Sequence, residues 1–209
     1  PQTIDGSLTI NCDASGTITI KNLYITGHLI VNTPNASVVV ESSVIVDGTT
    51  TVQDVDTNTF TSSGTHKSGI KVTDSNGTRI ALSGNASNST LEIASTGSVL
   101  LEGSFSNINV TTAGADVTLN GTVTGTLTVN EDAADGTKLT LGENGSITEE
   151  QYNVPEGFEK VVSNEAARAL AAIQEALRTS NWRDITVETF EIAGVFGVNS
   201  GNLNTVINL

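Results

Sequence analysis

A short triplet with aliphatic flanks returns along this chain at nearly constant intervals, and that recurrence limits the fold more than any other feature. The set Leu8-Thr9-Ile10, Leu29-Ile30-Val31, Thr50-Thr51-Val52, Ile70-Lys71-Val72, Leu91-Glu92-Ile93, Ile108-Asn109-Val110 and Leu127-Thr128-Val129 advances in steps of 21, 21, 20, 21, 17 and 19 residues. In all but the Thr50 triplet both flanking residues are aliphatic, as an inward-facing pair must be on a strand whose side chains alternate. A second set follows about ten residues behind the first: Ile18-Thr19-Ile20, Val38-Val39-Val40, Ile80-Ala81-Leu82, Val99-Leu100-Leu101, Val117-Thr118-Leu119 and Leu139-Thr140-Leu141. A weaker third arm appears as Leu23/Ile25, Val44/Val46, Phe105, Val123 and Ile147. Three inward arms per turn of about twenty residues describe a triangular coil.

Corners fall where such a coil needs them, at Ala14-Ser15-Gly16, Thr33-Pro34-Asn35, Asp47-Gly48, Ser75-Asn76-Gly77, Ala113-Gly114 and Asp135-Gly136. Gly and Asn reach the left-handed backbone region that tight corners require. A single coil buries too little to offset the entropy of ordering its backbone, so the coils must stack and share ladders with their neighbours. The fold expected is a right-handed, single-stranded parallel β-helix of about seven coils, its hand following the preference of parallel crossovers. An antiparallel sandwich also carries short strands at regular spacing and is the competing architecture; few Asn-Gly hairpin turns between longer strands speak for it here. Coil three departs from the pattern. Between Asp54 and Lys67 the large apolar residues are Val55 and Phe60, so its second and third arms are expected to leave the stack as a loop, the place to look for function.

Beyond Pro155 the period turns helical. Ser163 or Asn164 caps a first helix with Glu165 in its first turn, an apolar stripe of Ala166, Leu170, Ile173 and Leu177, and Arg178 near its end. Thr186 caps a second that ends at Gly194 and carries Phe190 and Ile192; Asn199 or Ser200 caps a third with Leu203, Val206 and Ile207. Trp182, Phe190 and Phe196 supply the bulk of a small core. The chain thus reads as a β-helix over residues 1–152, a linker over 153–162 and a small α-helical module over 163–209, which is expected to dock on the last coil or on a following domain because so short a module is marginal alone.

Composition narrows the partners. A formal net charge of -14 with only 9 Lys+Arg opposes nucleic acid and anionic membrane surfaces. Aromatics make up 4% and Met is absent, so the interior is built from Val, Ile, Leu and Ala. Cys12 stands alone, which excludes an intrachain disulfide and reads as a small buried hydrophobe. No apolar run is long enough for a membrane span, and no signal-peptide pattern opens the chain. Its start at Pro1 without Met is read as a fragment or processed form.

The residues also carry a resemblance. The pattern GSLTI…GTITIKNLYITGHLIVN…SVVVESSVIVDGTTTV, continued over residues 6–150, resembles the β-helical segments of bacterial surface-layer and other cell-wall-associated proteins with repeated G-x-L-x-V coils. The tail EAARALAAIQEALRTSNWRDITVETFEIAGVFGVNSGNLNTVINL looks like the short helical repeats of large secreted bacterial adhesins, with its signature phrase over Ala193 to Asn208. The resemblance implies export to the cell surface or cell wall and continuation of the repeats in tandem. It also implies flanking domains of a larger chain, with other surface proteins or cell-wall and extracellular glycans as partners.

The function expected is a non-enzymatic structural or adhesive segment of a secreted, S-layer-like or adhesin protein, with no catalytic residue and no cofactor. The alternative is a polysaccharide-binding or polysaccharide-degrading β-helix, since such folds can gather carboxylates and cations on one outer face. The outward row Thr9, Ile30, Thr51, Lys71, Glu92, Asn109 and Thr128 holds one carboxylate and one amine. His66, Lys67, Lys71 and Arg79 form a basic group that could meet an anionic sugar, against the plainer reading of solvated charges beside a loop. Asp54, Asp56 and Asn58 match the opening D-x-D-x-N of a calcium loop, where hard oxygen ligands alternate. The match is partial: Thr59 replaces the loop's Gly and Thr65 stands at the distal Glu position, so a solvated acidic turn is the competing reading, as it is at Asp132 and Asp135. Thr pairs such as Thr17/Thr19 are interrupted by Val39 and Leu100, leaving no flat threonine array for ice. The Asn-x-Ser/Thr triplets at Asn76, Asn85, Asn109 and Asn120 read as turn chemistry unless a host glycosylates them, and Val39, Ala81 and Leu100 form a modest outward apolar strip.

Overall fold

A computed structural model describes residues 1–55, 60–142, 144–156, 158, 160–161, 169, 172–173, 176–178, 181–183, 185–192 and 197–207. The chain divides into two compact units, Pro1–Val161 and Val162–Leu209. The first is a parallel β-solenoid of about seven coils with three faces. Its first face is an eight-stranded sheet of Leu8–Asn11, Leu29–Thr33, Thr50–Val55, Ile70–Val72, Thr90–Ile93, Asn107–Val110, Leu127–Val129 and Tyr152–Asn153. The second is another eight-stranded sheet, of Gly16–Ile20, Ala36–Val40, Phe60–Ser62, Thr78–Leu82, Ser98–Phe105, Asp116–Val123, Lys138–Leu141 and Lys160–Val161. The third holds four short strands, Gln2–Ile4, Leu23–Ile25, Ile45–Val46 and Thr65–His66.

Every ladder is parallel, and consecutive strands lie on different faces, which is the coil and not the sandwich. On the first face Leu8, Leu29, Thr50, Ile70, Leu91, Ile108 and Leu127 stand in one hydrogen-bonded row, the row that the triplet spacing requires. Alternation then sends Leu29, Val31, Val52, Ile70, Val72, Leu91, Ile93, Ile108 and Val110 inward, where each is at most 1% exposed. Parallel strands covered by their own coil can be this apolar on the inner side because every backbone donor is spent on the neighbouring coil.

The second face runs in register with one shift. Ile80 pairs with Leu101, not Val99, so Val99 stacks on Thr78 and the row moves by one inward position at that coil. Here the strands Ser98–Phe105 and Asp116–Val123 lengthen to eight residues and carry Phe105 and Val123 round the corner, taking over the third arm after the third-face sheet ends at Thr65–His66. The corner lies at Gly103, whose φ of +96° only glycine adopts readily, paired with Gly121 in the next coil. A Cβ on Gly121 would stand 2.4 Å from the Gly103 carbonyl oxygen, so this corner is a close backbone approach as well.

Coil three corrects an expectation. Its arms do not leave the stack: Phe60–Ser62 pairs with both Ala36–Val40 and Thr78–Leu82, and Thr65–His66 pairs with Ile45–Val46. The reason is that polar side chains fill the inward positions that elsewhere hold aliphatics. Within the stretch 153–162, Asn153 pairs with Thr128 and Lys160 with Leu139, each adding to one of the long sheets. Cys12 is only half-buried, at the corner that follows the first coil's Leu8–Asn11 strand.

In the second unit a small core gathers Ile173, Ala176, Ile185 and Phe190, with Trp182, Val198, Leu203 and Ile207 packed against it. Thr186 does cap the helix Val187–Ile192: its Oγ1 accepts the Thr189 N–H while Thr189 Oγ1 accepts the Thr186 N–H. Asn199 Oδ1 accepts the N–H groups of Gly201 and Asn202 ahead of the helix Leu203–Val206. Of the expected stripe, Ile173 is buried and Leu177 is 63% exposed; among the described residues Ala169 and Ala176 are buried as well. Ser163, Asn164, Glu165, Ala166, Leu170, Gly194 and Phe196 lie outside the described residues.

Candidate functional site

Thr50 pairs with Leu29 and Ile70, Ser62 with Val40 and Leu82, and His66 with Val46. Register therefore points all three polar side chains into the column, one from each face of coil three. Thr50 and Ser62 are 0% exposed and His66 is 3%. They meet at the imidazole: Thr50 Oγ1 lies 2.6 Å from Nδ1 and Ser62 Oγ 2.7 Å from Nε2. Ser62 Oγ also accepts the Gly64 N–H at 3.2 Å. While accepting that N–H, Ser62 still has its own proton to donate to Nε2, which pairs with the tautomer in which Nδ1–H donates to Thr50. The Phe60 ring is tilted against the imidazole at 6.3 Å. Burial away from water brings the His66 pKa down to about 4, so the ring is neutral at physiological pH.

A serine beside a histidine resembles a nucleophile and its base. Here both sit inside the column, with no exposed surface on the serine for a substrate to approach. The layer is a hydrogen-bonded brace between three sheets. Sequence reading placed His66 among surface cations. The signal it overlooked was parity, since Thr50, Ser62 and His66 all occupy inward positions of a single coil.

The basic group is consequently not brought together. His66 is interior, while Lys67 pairs with Asp47 at 2.7 Å and Lys71 with Glu92 at 2.8 Å. Arg79 Nε donates to Glu102 Oε2 at 2.8 Å, and Nη2 of the same side chain donates to that oxygen as well. Asp47 carries a second partner, the Tyr24 hydroxyl, which donates to Oδ2 at 2.5 Å, and Lys67 lies 5.7 Å from the Tyr24 ring centroid. The Lys67 ammonium and then the Tyr24 hydrogen bond hold the Asp47 carboxyl below the usual range, and the Asp47 bond in turn raises the Tyr24 and Lys67 pKa values. Tyr24 lies within the third-face strand Leu23–Ile25, and Asp47 and Lys67 directly follow the third-face strands Ile45–Val46 and Thr65–His66, so this group clasps three successive coils from outside.

Asp54 sits where the strand Thr50–Val55 slips register against Leu29–Thr33, pairing with Asn32. Its Oδ2 accepts from Asn76 Nδ2 at 3.4 Å. Asp56 and Asn58, the other two calcium candidates, lie outside the described residues, as does Thr59. Thr65 belongs to the third face whereas Asp54 belongs to the first, so the pattern's distal position is carried to another wall. Among the described residues no group of three or more His, Cys, Asp and Glu is placed to hold a metal ion. Asp132 and Asp135 are exposed at the turn around Glu131–Ala133.

A carboxylate that sequence did not single out holds this corner. Asp74 is fully buried; its Oδ2 accepts the Val55 N–H at 3.0 Å and its Oδ1 the Asn76 N–H at 2.9 Å. Burial raises its pKa, and the two N–H groups offset that only in part. Ser95, buried in the following coil, donates to the Asp74 carbonyl and accepts the Gly97 N–H at 3.0 Å.

Outward side chains make two surfaces. On the first face Thr9, Ile30, Thr51, Lys71, Glu92, Asn109 and Thr128 do form one row in register, and Asn153 continues it. The apolar strip on the second face is not continuous. Thr61 stands between Val39 and Ala81, and Leu100 belongs to a neighbouring row between Arg79 and Thr118. Beside Leu100 lies a depression of about 440 Å³ lined by Asn76, Gly77, Thr78, Ser98, Val99 and Thr118.

Fold and site together define a parallel β-solenoid with a polar brace inside and, outside, Lys67, Lys71 and Arg79 each paired with a carboxylate on an acidic surface. Among known proteins, no family model, no curated sequence and no solved structure matches this chain.

Proposed function

We propose that the chain is a non-enzymatic structural or adhesive segment of a secreted bacterial cell-surface protein, S-layer-like or adhesin in kind. In this reading the solenoid holds flanking modules apart outside the cell. Its polar rows are offered to other surface proteins or to cell-wall and extracellular glycans. The observation that carries it is the Lys71–Glu92 pair at 2.8 Å in the middle of the first-face row. A site that abstracts protons from, or binds, an anionic polysaccharide needs uncompensated cations. Here Lys67, Lys71 and Arg79 each already hold a carboxylate. No helix among the described residues is long and apolar enough to cross a membrane, which agrees with a segment that does not insert through helices.

The test combines a glycan array with a turnover assay on acidic polysaccharides. The structural reading expects no turnover from the intact chain; turnover that disappears in Lys71→Ala would overturn it. A second reading, binding of a neutral saccharide, is favoured by the depression beside Leu100, which offers an apolar floor with amide and hydroxyl groups at Asn76, Ser98 and Thr118. Array binding that Leu100→Glu abolishes would select it.

A further inference from the structure

The Thr50–Ser62–His66 layer differs from the inward aliphatic rows on either side: it joins the three faces across the interior through hydrogen bonds to one imidazole, whereas Asp74, the other buried ionisable side chain among the described residues, is held at a corner by backbone N–H groups. From the geometry we infer that coil three is an acid-operated joint, at which protonation of one buried imidazole loosens the column locally while the other coils stay closed. The argument begins with what the ring can tolerate. As a neutral ring it donates to one hydroxyl and accepts from the other, so both nitrogens are satisfied. As a cation it has two donors and no acceptor, so the Ser62 proton that pointed at it must turn elsewhere, within a layer whose three side chains are buried.

Among the described residues, none that faces the ring offers a compensating charge. The first-face strand Thr50–Val55 contributes Thr50, the second-face strand Phe60–Ser62 contributes Phe60 and Ser62, and the third-face strand Ile45–Val46 contributes Val46 as register partner. The 3-10 helix Gly84–Asn88 packs on the strand Thr65–His66 with Ala86 buried, and Ser89 at its end donates to the His66 carbonyl, not to the ring. Lys67, next to His66 in the chain, and Asp47, next to its register partner Val46, are joined to each other on the outside. Asp74, the buried carboxylate of the next coil, is already held by two backbone N–H groups. A depressed His66 pKa of about 4 follows from the same burial.

Position makes the joint local. His66 closes the last strand of the third-face sheet, and above it the wall is continued by the 3-10 helix and by bent second-face strands. Coil three is therefore the point where one ladder of the column ends. Opening there breaks the pairing of Thr65–His66 with Ile45–Val46 without requiring the eight-stranded faces to part along their length.

Hydrogen exchange of the full chain, read by mass spectrometry at pH 7 and pH 4 and corrected for intrinsic rates, tests this. With the pKa moving from 6.5 unfolded to about 4 folded, protection around residues 60–72 should fall on the order of a hundredfold at pH 4. Segments 91–129 should fall much less. In the variant Thr50→Val/Ser62→Ala/His66→Leu, which replaces the polar layer by an apolar one, the selective loss should vanish. Equal loss across all coils, no loss at coil three, or an undiminished selective loss in the variant would each overturn the proposal. If the variant does not fold, the His66 ring resonance of the wild type decides: a titration midpoint near 6.5 refutes the joint, and a midpoint well below 5 supports it.

Discussion

Gly48 is where the spacing between coils can be tested most directly. Its amide donates to the Gly27 carbonyl at 2.9 Å, and the Gly27 amide donates to Gly6 at 2.8 Å, so three glycines stack at one corner of successive coils. A methyl group added at position 48 would lie 2.6 Å from the Gly27 carbonyl oxygen, 2.7 Å from its carbon and 2.8 Å from His28 Nδ1. The backbone at Gly48 is not in the left-handed region, so alanine meets no conformational penalty there and the cost is steric. Relief means prising the coil away from the one before it, which strains the Gly48–Gly27 bond and the adjacent bond from Asp47 N–H to the Ile25 carbonyl at 3.0 Å. Overpacking costs about 1–3 kcal/mol, and with two backbone hydrogen bonds strained the upper end applies, so Gly48→Ala should lose about 3 kcal/mol. For a unit of this size that is roughly 6–12 °C in Tm, measured by circular dichroism melts. Gly16→Ala is the control: nothing lies within 4 Å of its added Cβ, but its φ of +134° makes the cost conformational, about 1–2 kcal/mol. A Gly48→Ala melt within about 2 °C of wild type, or a larger loss at Gly16, would refute the close approach of the coils.

Phe60→Ala, which empties the largest fully buried side chain of coil three, should cost about 3–5 kcal/mol and lower the urea midpoint without changing the slope. Lys71→Ala should shift stability by less than about 1 kcal/mol, because its pair with Glu92 is more than a third exposed; a large loss in a denaturant titration would contradict that. Chelation is expected to leave the thermal melt unchanged, and a Tm lowered by EDTA and restored by calcium would support an ion at Asp54.

The first face was legible because its constraint is the simplest one: aliphatic flanks at a constant step, so Leu8 through Leu127 fall in one row both in sequence and in space. The second face was legible except at Val99, where an extra inward pair hides a shift that only strand lengthening reveals. Coil three was misread because an inward side chain was assumed to be apolar. Hydroxyls and an imidazole can fill the same positions once they satisfy one another, and one-dimensional hydropathy contains no record of that pairing. The surface chemistry was misread for a related reason. Lys67 and Asp47 are far apart in sequence, and so are Lys71 and Glu92, but each pair becomes adjacent when one turn of the coil closes, so the cations looked free until the pitch was known. In the small unit Thr186 was readable from capping chemistry alone, whereas the buried side of the preceding helix depends on small alanines that a search for large aliphatics passes over.

The backbone hydrogen bonds of the solenoid run from each coil to the next, along the direction in which the coils are piled. Tension applied across the two ends of such a pile is therefore borne in series, turn after turn, and the least secure turn yields while the rest remain intact. Each turn that lets go frees about twenty residues, or roughly 70 Å of extended chain. A module of this kind stretches in instalments and dissipates a pull as a succession of small extensions.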